Sequence, residues 1–236
     1  MNIIDYAKEY KVCSERPHSA IFPKTIFAVF AGSTGSGKTN LLLNLVRQPK
    51  LLNYNHIYIY SSTLHQPAYE HLKRYFADLE KLIFDDTNRE VKIAQFFDAD
   101  SEIMNPTELD KSKNHIMVFD DVMCNDQAVI KDYFCRGRHN NVNVFYLCQS
   151  LHKIAKHCIR ENANLFILFR QDDKTLKYFH ETHCSGDMGF EEFKNFCHTA
   201  WTKKHGFVVI NIWDEAHCGR YWSNYNSIYV PKKYLI

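Results

Sequence analysis

The eight residues Gly32-Ser33-Thr34-Gly35-Ser36-Gly37-Lys38-Thr39 leave this chain few ways to fold. They fit G-x-x-x-x-G-K-[ST] at every position. They lie between an apolar run at 25–31 (TIFAVFA), rich in β-formers, and a segment of helical spacing at 39–47 (TNLLLNLVR). A buried strand feeding a glycine loop that opens a helix is a phosphate cradle. Small residues let successive backbone N–H groups curl around an anion, and the helix N-terminus adds partial positive charge. The loop residues Gly32, Ser33, Thr34, Gly35, Ser36, Gly37, Lys38 and Thr39, with Asn40 beside them, are therefore expected to bind a nucleotide. Lys38 would reach the β- and γ-phosphates, and the Thr39 hydroxyl would ligate Mg²⁺.

Further short apolar runs alternate with helical spacing. Strands are expected at 56–61 (HIYIYS), 115–120 (HIMVFD), 142–147 (VNVFYL) and 165–169 (LFILF), with helices at 67–82 and around 127–134 and 151–161. Residues 85–113 are polar and carry no clear period. Two helices follow 169, then a strand at 207–213 (FVVINIW) and an aromatic, basic tail. This alternation predicts an α/β fold, a mainly parallel sheet with helices on both faces. No repeat or Pro/Gly/Ser linker interrupts it. One domain over residues 1–236 is expected, with a core at about 20–170 and a C-terminal helical and strand extension at about 171–236.

Charge limits the function classes. At 24% charged residues and a formal net charge of +2 the chain is no polycation, so any nucleic acid would be held by a local surface. Its longest apolar runs fall far short of the roughly 20 residues a bilayer span requires, so no membrane segment is expected. Residues 1–10 carry no basic stretch followed by an apolar one, which argues against secretion. Eight cysteines without a C-x-x-C spacing read as reduced thiols of an intracellular protein.

A second acidic site follows the loop. HIMVFDD ends an apolar strand in Asp120 and Asp121, the Walker B pattern, with Asp120 emerging where Mg²⁺ would sit. Asp121 reads either as the carboxylate that orients and deprotonates a water, as ATP hydrolysis requires, or as a cap for the following segment. A whole strand, 56–61, separates the two motifs in sequence, as in P-loop ATPases with an additional strand in the sheet (the RecA-like, ASCE branch). Gln149, after the next strand, would project into the same crevice and sense phosphate or hold the water. Arg138, or alternatively Arg136, precedes that strand and could reach a neighbour's nucleotide as an arginine finger.

GSTGSGKTN, HIMVFDD, GRHNNVNVFYLCQS and CIRENANLFILFR, in this order, resemble the FtsK–HerA superfamily of ring ATPases. Within it the chain looks most like the poxvirus-type DNA-packaging ATPases of large DNA viruses, virophages and Polinton-like elements. SSTLHQPAYEHL resembles their Q-P-x-Y stretch, and RYWSNYN their tail. The resemblance implies an ATP-hydrolysing motor that translocates double-stranded DNA into a preformed capsid, with ATP and Mg²⁺ as cofactors. It also implies a homo-oligomeric ring of about five or six subunits and capsid or portal-vertex proteins as partners. The host cytoplasm or virus factory would be its location, with the virion and the nucleus as further ones. Carried over by position, Lys38 and Thr39 are the Walker A pair, Asp120 and Asp121 the Walker B pair, Gln149 the sensor and Arg138 the finger. One departure is that many members have Glu where this chain has Asp121.

Two other constellations need weighing. Lys153, Lys156, His157 and Arg160, and separately Lys203, Lys204 and His205, form basic clusters that would either grip DNA or simply be solvated. His180, His183, Cys184, Cys197 and His198 hold enough donors for zinc, yet their spacing fits no common finger, and buried thiols with surface histidines are the expectation. Two alternatives to the motor are a P-loop nucleotide or nucleoside kinase, for which no arginine-rich lid is evident, and a nucleotide-gated scaffold without turnover.

Overall fold

The computed structural model describes residues 18–122, 127–154 and 156–235. The apolar runs form the strands β1 (Phe27–Ala31), β2 (His56–Ser61), β4 (His115–Asp120), β5 (Val142–Cys148), β6 (Leu165–Phe169) and β7 (Phe207–Asn211). They are joined by β3 (Ala94–Asp98), β8 (Tyr221–Ser223) and β9 (Ser227–Tyr229) in one sheet of order β3-β2-β4-β5-β1-β6-β7-β8-β9. Pairing is parallel from β3 to β6 and antiparallel from there to β9.

Successive strand residues face opposite sides, so strands apolar at every position must be covered twice. On one face Ala28, Phe30, Ile59, Val118 and Phe145 pack under α1 (Lys38–Arg47) and α2 (Pro67–Thr87), through Leu42, Val46, Leu72 and Phe76. On the other, Val29, Met117, Phe119, Val144 and Phe166 pack under α3 (Ala128–Arg136), α4 (Asp173–Phe179) and α5 (Phe190–Ala200), through Ile130, Phe134, Phe179 and Phe193. The fold is thus an α/β P-loop NTPase with helices on both faces. Two buried asparagines fix the entry of its central strand. Asn164 accepts from the Phe27 N–H (2.8 Å) and donates to the Thr25 carbonyl (2.7 Å), while Asn143 accepts from the Ile26 N–H (2.9 Å).

Strand order gives the additional strand its identity. β5 lies between β1 and β4, while 56–61, which intervenes in sequence, pairs with the far side of β4 as β2. The carboxyl ends align here: Ala31 is level with Cys148, and Asp120 with Leu147.

Several segments depart from the sequence expectation. The polar stretch 85–113 conceals β3, an edge strand of mostly half-buried residues, and the last residues of α2, which ends at Asn88 in the left-handed region (φ 51°). Instead of one helix at 151–161 there is a 3₁₀ turn (Leu151–Lys153) and a π-helical turn (Lys156–Arg160). Ile154 between them is extended (ψ 141°), and Leu151, Ile154 and Ile159 are all buried, so core contact overrides helical continuity. The strand expected to reach 213 stops at Asn211, whose side-chain oxygen accepts from the Trp213 N–H (3.2 Å) and turns the chain. The tail forms the β8–β9 hairpin through left-handed Asn224 and Tyr225.

The His/Cys cluster is accounted for by packing. His180 is hydrogen-bonded to the Met188 carbonyl (2.7 Å), His183 lies against Phe166 and Phe179, and Cys184 and Cys197 are buried. Among the described residues no group of three or more His, Cys, Asp or Glu side chains is arranged to hold a metal. His180 is itself buried, which corrects the expectation of surface histidines. Cys135, Cys148, Cys158, Cys184, Cys197 and Cys218 are free thiols, while Cys13 and Cys124 lie outside the described residues. Among the described residues no helix is long and apolar enough to cross a membrane.

Candidate active site

The glycine loop turns on two left-handed residues, Gly35 (φ 75°) and Gly37 (φ 110°), a region that side chains rarely adopt. Gly32 is required by proximity: a Cβ there would lie 2.7 Å from Cβ of Phe169. α1 opens directly after Gly37, so its free N–H groups face the loop interior. The Ser36 hydroxyl, within the same loop, is buried without a hydrogen-bond partner.

Lys38 Nζ donates to the carbonyls of Gly32 (2.6 Å) and Ser33 (3.0 Å). Burial lowers its pKa, and the nearby Asp120 charge opposes that shift. Asp120, at the carboxyl end of β4, is 5% exposed. Its Oδ2 accepts from the Tyr69 hydroxyl (2.5 Å) and from Thr39 Oγ1 (3.1 Å). Burial raises the Asp120 pKa, and these two hydrogen bonds pull it back. Thr39 and Asp120 therefore present two hard oxygens at hydrogen-bond distance, a donor set fitted to Mg²⁺. Asn40 is exposed in the first turn of α1.

Asp121 has different surroundings. It is exposed and left-handed (φ 56°), and its Oδ1 accepts from Gln149 Nε2 at 3.3 Å. Aspartate is among the few residues with a side chain that adopt this region readily, and here the turn leaves the carboxylate within reach of Gln149 at the end of β5. Thr34, Lys38, Thr39, Asp120, Asp121 and Gln149 thus line one cleft at the carboxyl ends of β1, β4 and β5, joined by Thr63 and Gln66. Cys148 beside them is an inert thiol, its pKa pushed up to about 12 by burial.

Arg136 and Arg138 are not brought to this cleft. Both are exposed ahead of β5, at the amino ends of the parallel strands, and a strand of that length spans about 23 Å. The Arg138 guanidinium lies over the Trp213 ring, 4.6 Å from its centroid. Of the first basic cluster, the side chains of Lys153, Lys156 and His157 lie outside the described residues, and Arg160 bonds the Tyr178 hydroxyl (2.8 Å). Of the second cluster, 203–205, only His205 is seen against the glycine loop, and Lys203 and Lys204 are exposed.

Sequence reasoning missed Thr63 and Gln66 as members of the cleft and Tyr69 as the partner of Asp120. A signal is the Q-P-x-Y stretch: Pro67 starts α2, and Tyr69 in its first turn brings its hydroxyl to Asp120.

Fold and cleft together define an additional-strand P-loop NTPase, with an acidic pair across the strand from its phosphate loop. The sequence profile of the family described as "Poxvirus A32 protein" matches residues 19–181, and the chain belongs to that family. It is the poxvirus-type branch of the FtsK–HerA packaging ATPases that the motifs resemble. A search of curated proteins returns no match. Among solved structures the chain is similar to the genome packaging NTPase B204 from Sulfolobus turreted icosahedral virus 2 in complex with sulfate. The identity is 14%, covering 80% of this chain and 92% of that one, with a TM-score of 0.53. It is also similar to B204, the DNA-packaging ATPase from Sulfolobus turreted icosahedral virus, at 15% identity, with 78% and 91% covered and a TM-score of 0.51. At these identities the likeness is one of fold.

Proposed function

We propose that this protein hydrolyses Mg·ATP and uses the cycle to drive double-stranded DNA into a preformed capsid, working as a homo-oligomeric ring. The observation that carries the reading is the Asp121–Gln149 pair beside the Thr39–Asp120 pair, two carboxylates with separate partners in one cleft. B204, whose fold this chain shares, has been solved in complex with ATP-gammaS.

In this reading the left-handed glycines and Lys38 hold the β- and γ-phosphates, and Thr39 and Asp120 hold Mg²⁺. Bound there, the metal neutralises charge on phosphate oxygens. Tyr69 keeps Asp120 in one rotamer. The Asp121 carboxylate accepts a proton from the attacking water as its oxygen bonds the γ-phosphorus and the bond to the bridging oxygen breaks, releasing ADP and phosphate. Gln149 fixes that carboxylate and shares in orienting the water. Arg138, at the far edge of the sheet from its own cleft, would serve the cleft of the next subunit, with Arg136 as the alternative.

Asp121→Asn tests the assignment. Nucleotide affinity should stay within about two-fold of wild type while turnover falls roughly 10²- to 10⁴-fold. Turnover that survives the substitution removes Asp121 from the chemistry. Lys38→Ala should abolish turnover as well.

A further inference from the structure

The C-terminal extension touches the phosphate loop at His205. Between α5 and β7 the chain turns back over that loop, and His205 meets it directly. His205 Nδ1 lies 3.0 Å from the Ser36 carbonyl oxygen. A carbonyl only accepts, so Nδ1 carries the proton and donates. Any Cβ at position 37 would sit 3.3 Å from the His205 Cβ, so the glycine that opens α1 is also the one the histidine covers.

This contact is held against backbone cost. His205 is left-handed (φ 61°), a conformation few residues with a side chain adopt, histidine, asparagine and aspartate more often than the rest. The turn has no slack: a Cβ at Gly206 would fall 2.1 Å from the Ala200 carbonyl oxygen. Either end of the turn is anchored to the sheet. Trp201 Nε1 donates to the Leu168 carbonyl (3.0 Å), and the Phe207 N–H donates to Asn224 Oδ1 (2.8 Å). The turn is thus pinned to β6, the strand beside β1, and to the β8–β9 hairpin. Lys203 and Lys204, both exposed, precede His205 by two and one residues. They stand within about a Debye length of the loop that His205 touches.

We propose that His205 is a positioning residue for nucleotide binding. Through the Ser36 carbonyl it holds the phosphate loop in its anion-accepting shape, and the 203–204 cations add attraction for the triphosphate. The C-terminal extension is then part of the nucleotide site, joined to it by the hydrogen bond from His205 to the Ser36 carbonyl. The inference rests on the phosphate-loop reading of the proposed function and adds a residue to it from outside the loop.

The test is equilibrium titration of the full chain with a fluorescent non-hydrolysable ATP analogue and Mg²⁺, paired with melting temperatures. His205→Gly relieves the left-handed strain and deletes the donor. It should weaken analogue binding roughly five-fold, the worth of one hydrogen bond, while the melting temperature stays at the wild-type value or above. His205→Asn tolerates the same backbone and puts its amide nitrogen where Nδ1 stood, so binding should return to within about two-fold of wild type. His205→Gln places its amide one atom further out and should behave like the glycine variant. Lys38→Ala is the control for the reading itself and should abolish binding. If wild type binds the analogue and His205→Gly binds it equally well, the inference is wrong and the reading stands. Wild-type protein that does not bind, or binds no better than Lys38→Ala, overturns both. Parallel loss of affinity and melting temperature in all three His205 variants would make the residue merely structural and would overturn the inference as well.

Discussion

Asp120 and Asp121 are neighbours in the chain with opposite surroundings, and the difference decides what each can do. Asp120 is enclosed and its pKa is raised mainly by burial, while Asp121 is open and held by one amide. A carboxyl with a raised pKa in the fold weakens the folded state wherever it is ionised in both states. That penalty is present above the folded pKa and disappears as pH falls through the unfolded value. Asp120→Asn should therefore raise the nucleotide-free melting temperature at neutral pH, by roughly 2–4 °C, and eliminate turnover. The gain should shrink as pH is lowered toward the ordinary carboxylate range. A melting temperature that falls at neutral pH would mean that the hydrogen bonds from Tyr69 and Thr39 outweigh burial. Tyr69→Phe removes one of these bonds and should reduce turnover about ten-fold, as expected for a hydrogen bond to a charged acceptor. An unchanged rate would mean that Thr39 alone suffices to orient the carboxylate.

Among the elements, β1 carries the site and depends on what lies at both its ends. At its start Asn164 satisfies a backbone N–H and a backbone carbonyl; at its end Gly32 lets Phe169 of β6 approach. Asn164→Ala should leave buried groups unpaired and cost about 2 kcal/mol, or roughly a 5 °C fall in melting temperature, far from the cleft. A fall below 1 °C would mean that water or a backbone shift replaces the amide. These elements also mark how far the sequence could be read. Strands such as HIMVFD and LFILF were legible because burial on both faces makes them continuously apolar. β3 was not, because its edge position leaves AQFFD half-buried and without a clean period. The 151–161 segment misled because helical spacing of Leu151, Ile154 and Ile159 also fits a chain returning across the core. Within the site, loop and acids were legible because their chemistry fixes their spacing. Tyr69 and His205 were not, since each acts through a tertiary contact that no local pattern records.

The whole molecule has a nucleotide cleft at the carboxyl edge of its parallel strands and Arg138, stacked on Trp213, at the amino edge. Under the ring proposal these edges belong to different halves of a shared site, so mixing should expose the division. Doping wild-type subunits with Arg138→Ala should lower activity more steeply than dilution, and a strictly proportional fall would mean that each subunit works alone. The net charge of +2 is compatible with this arrangement, because a ring adds a few cations per subunit around one duplex. The most direct measurement of the central claim is the rate of ATP hydrolysis by the purified chain with and without long double-stranded DNA, at low and moderate salt. Turnover should rise with DNA, the increment should weaken with salt, and both should be lost in Asp121→Asn. Hydrolysis indifferent to DNA at every salt concentration, or undiminished in Asp121→Asn, would contradict that claim.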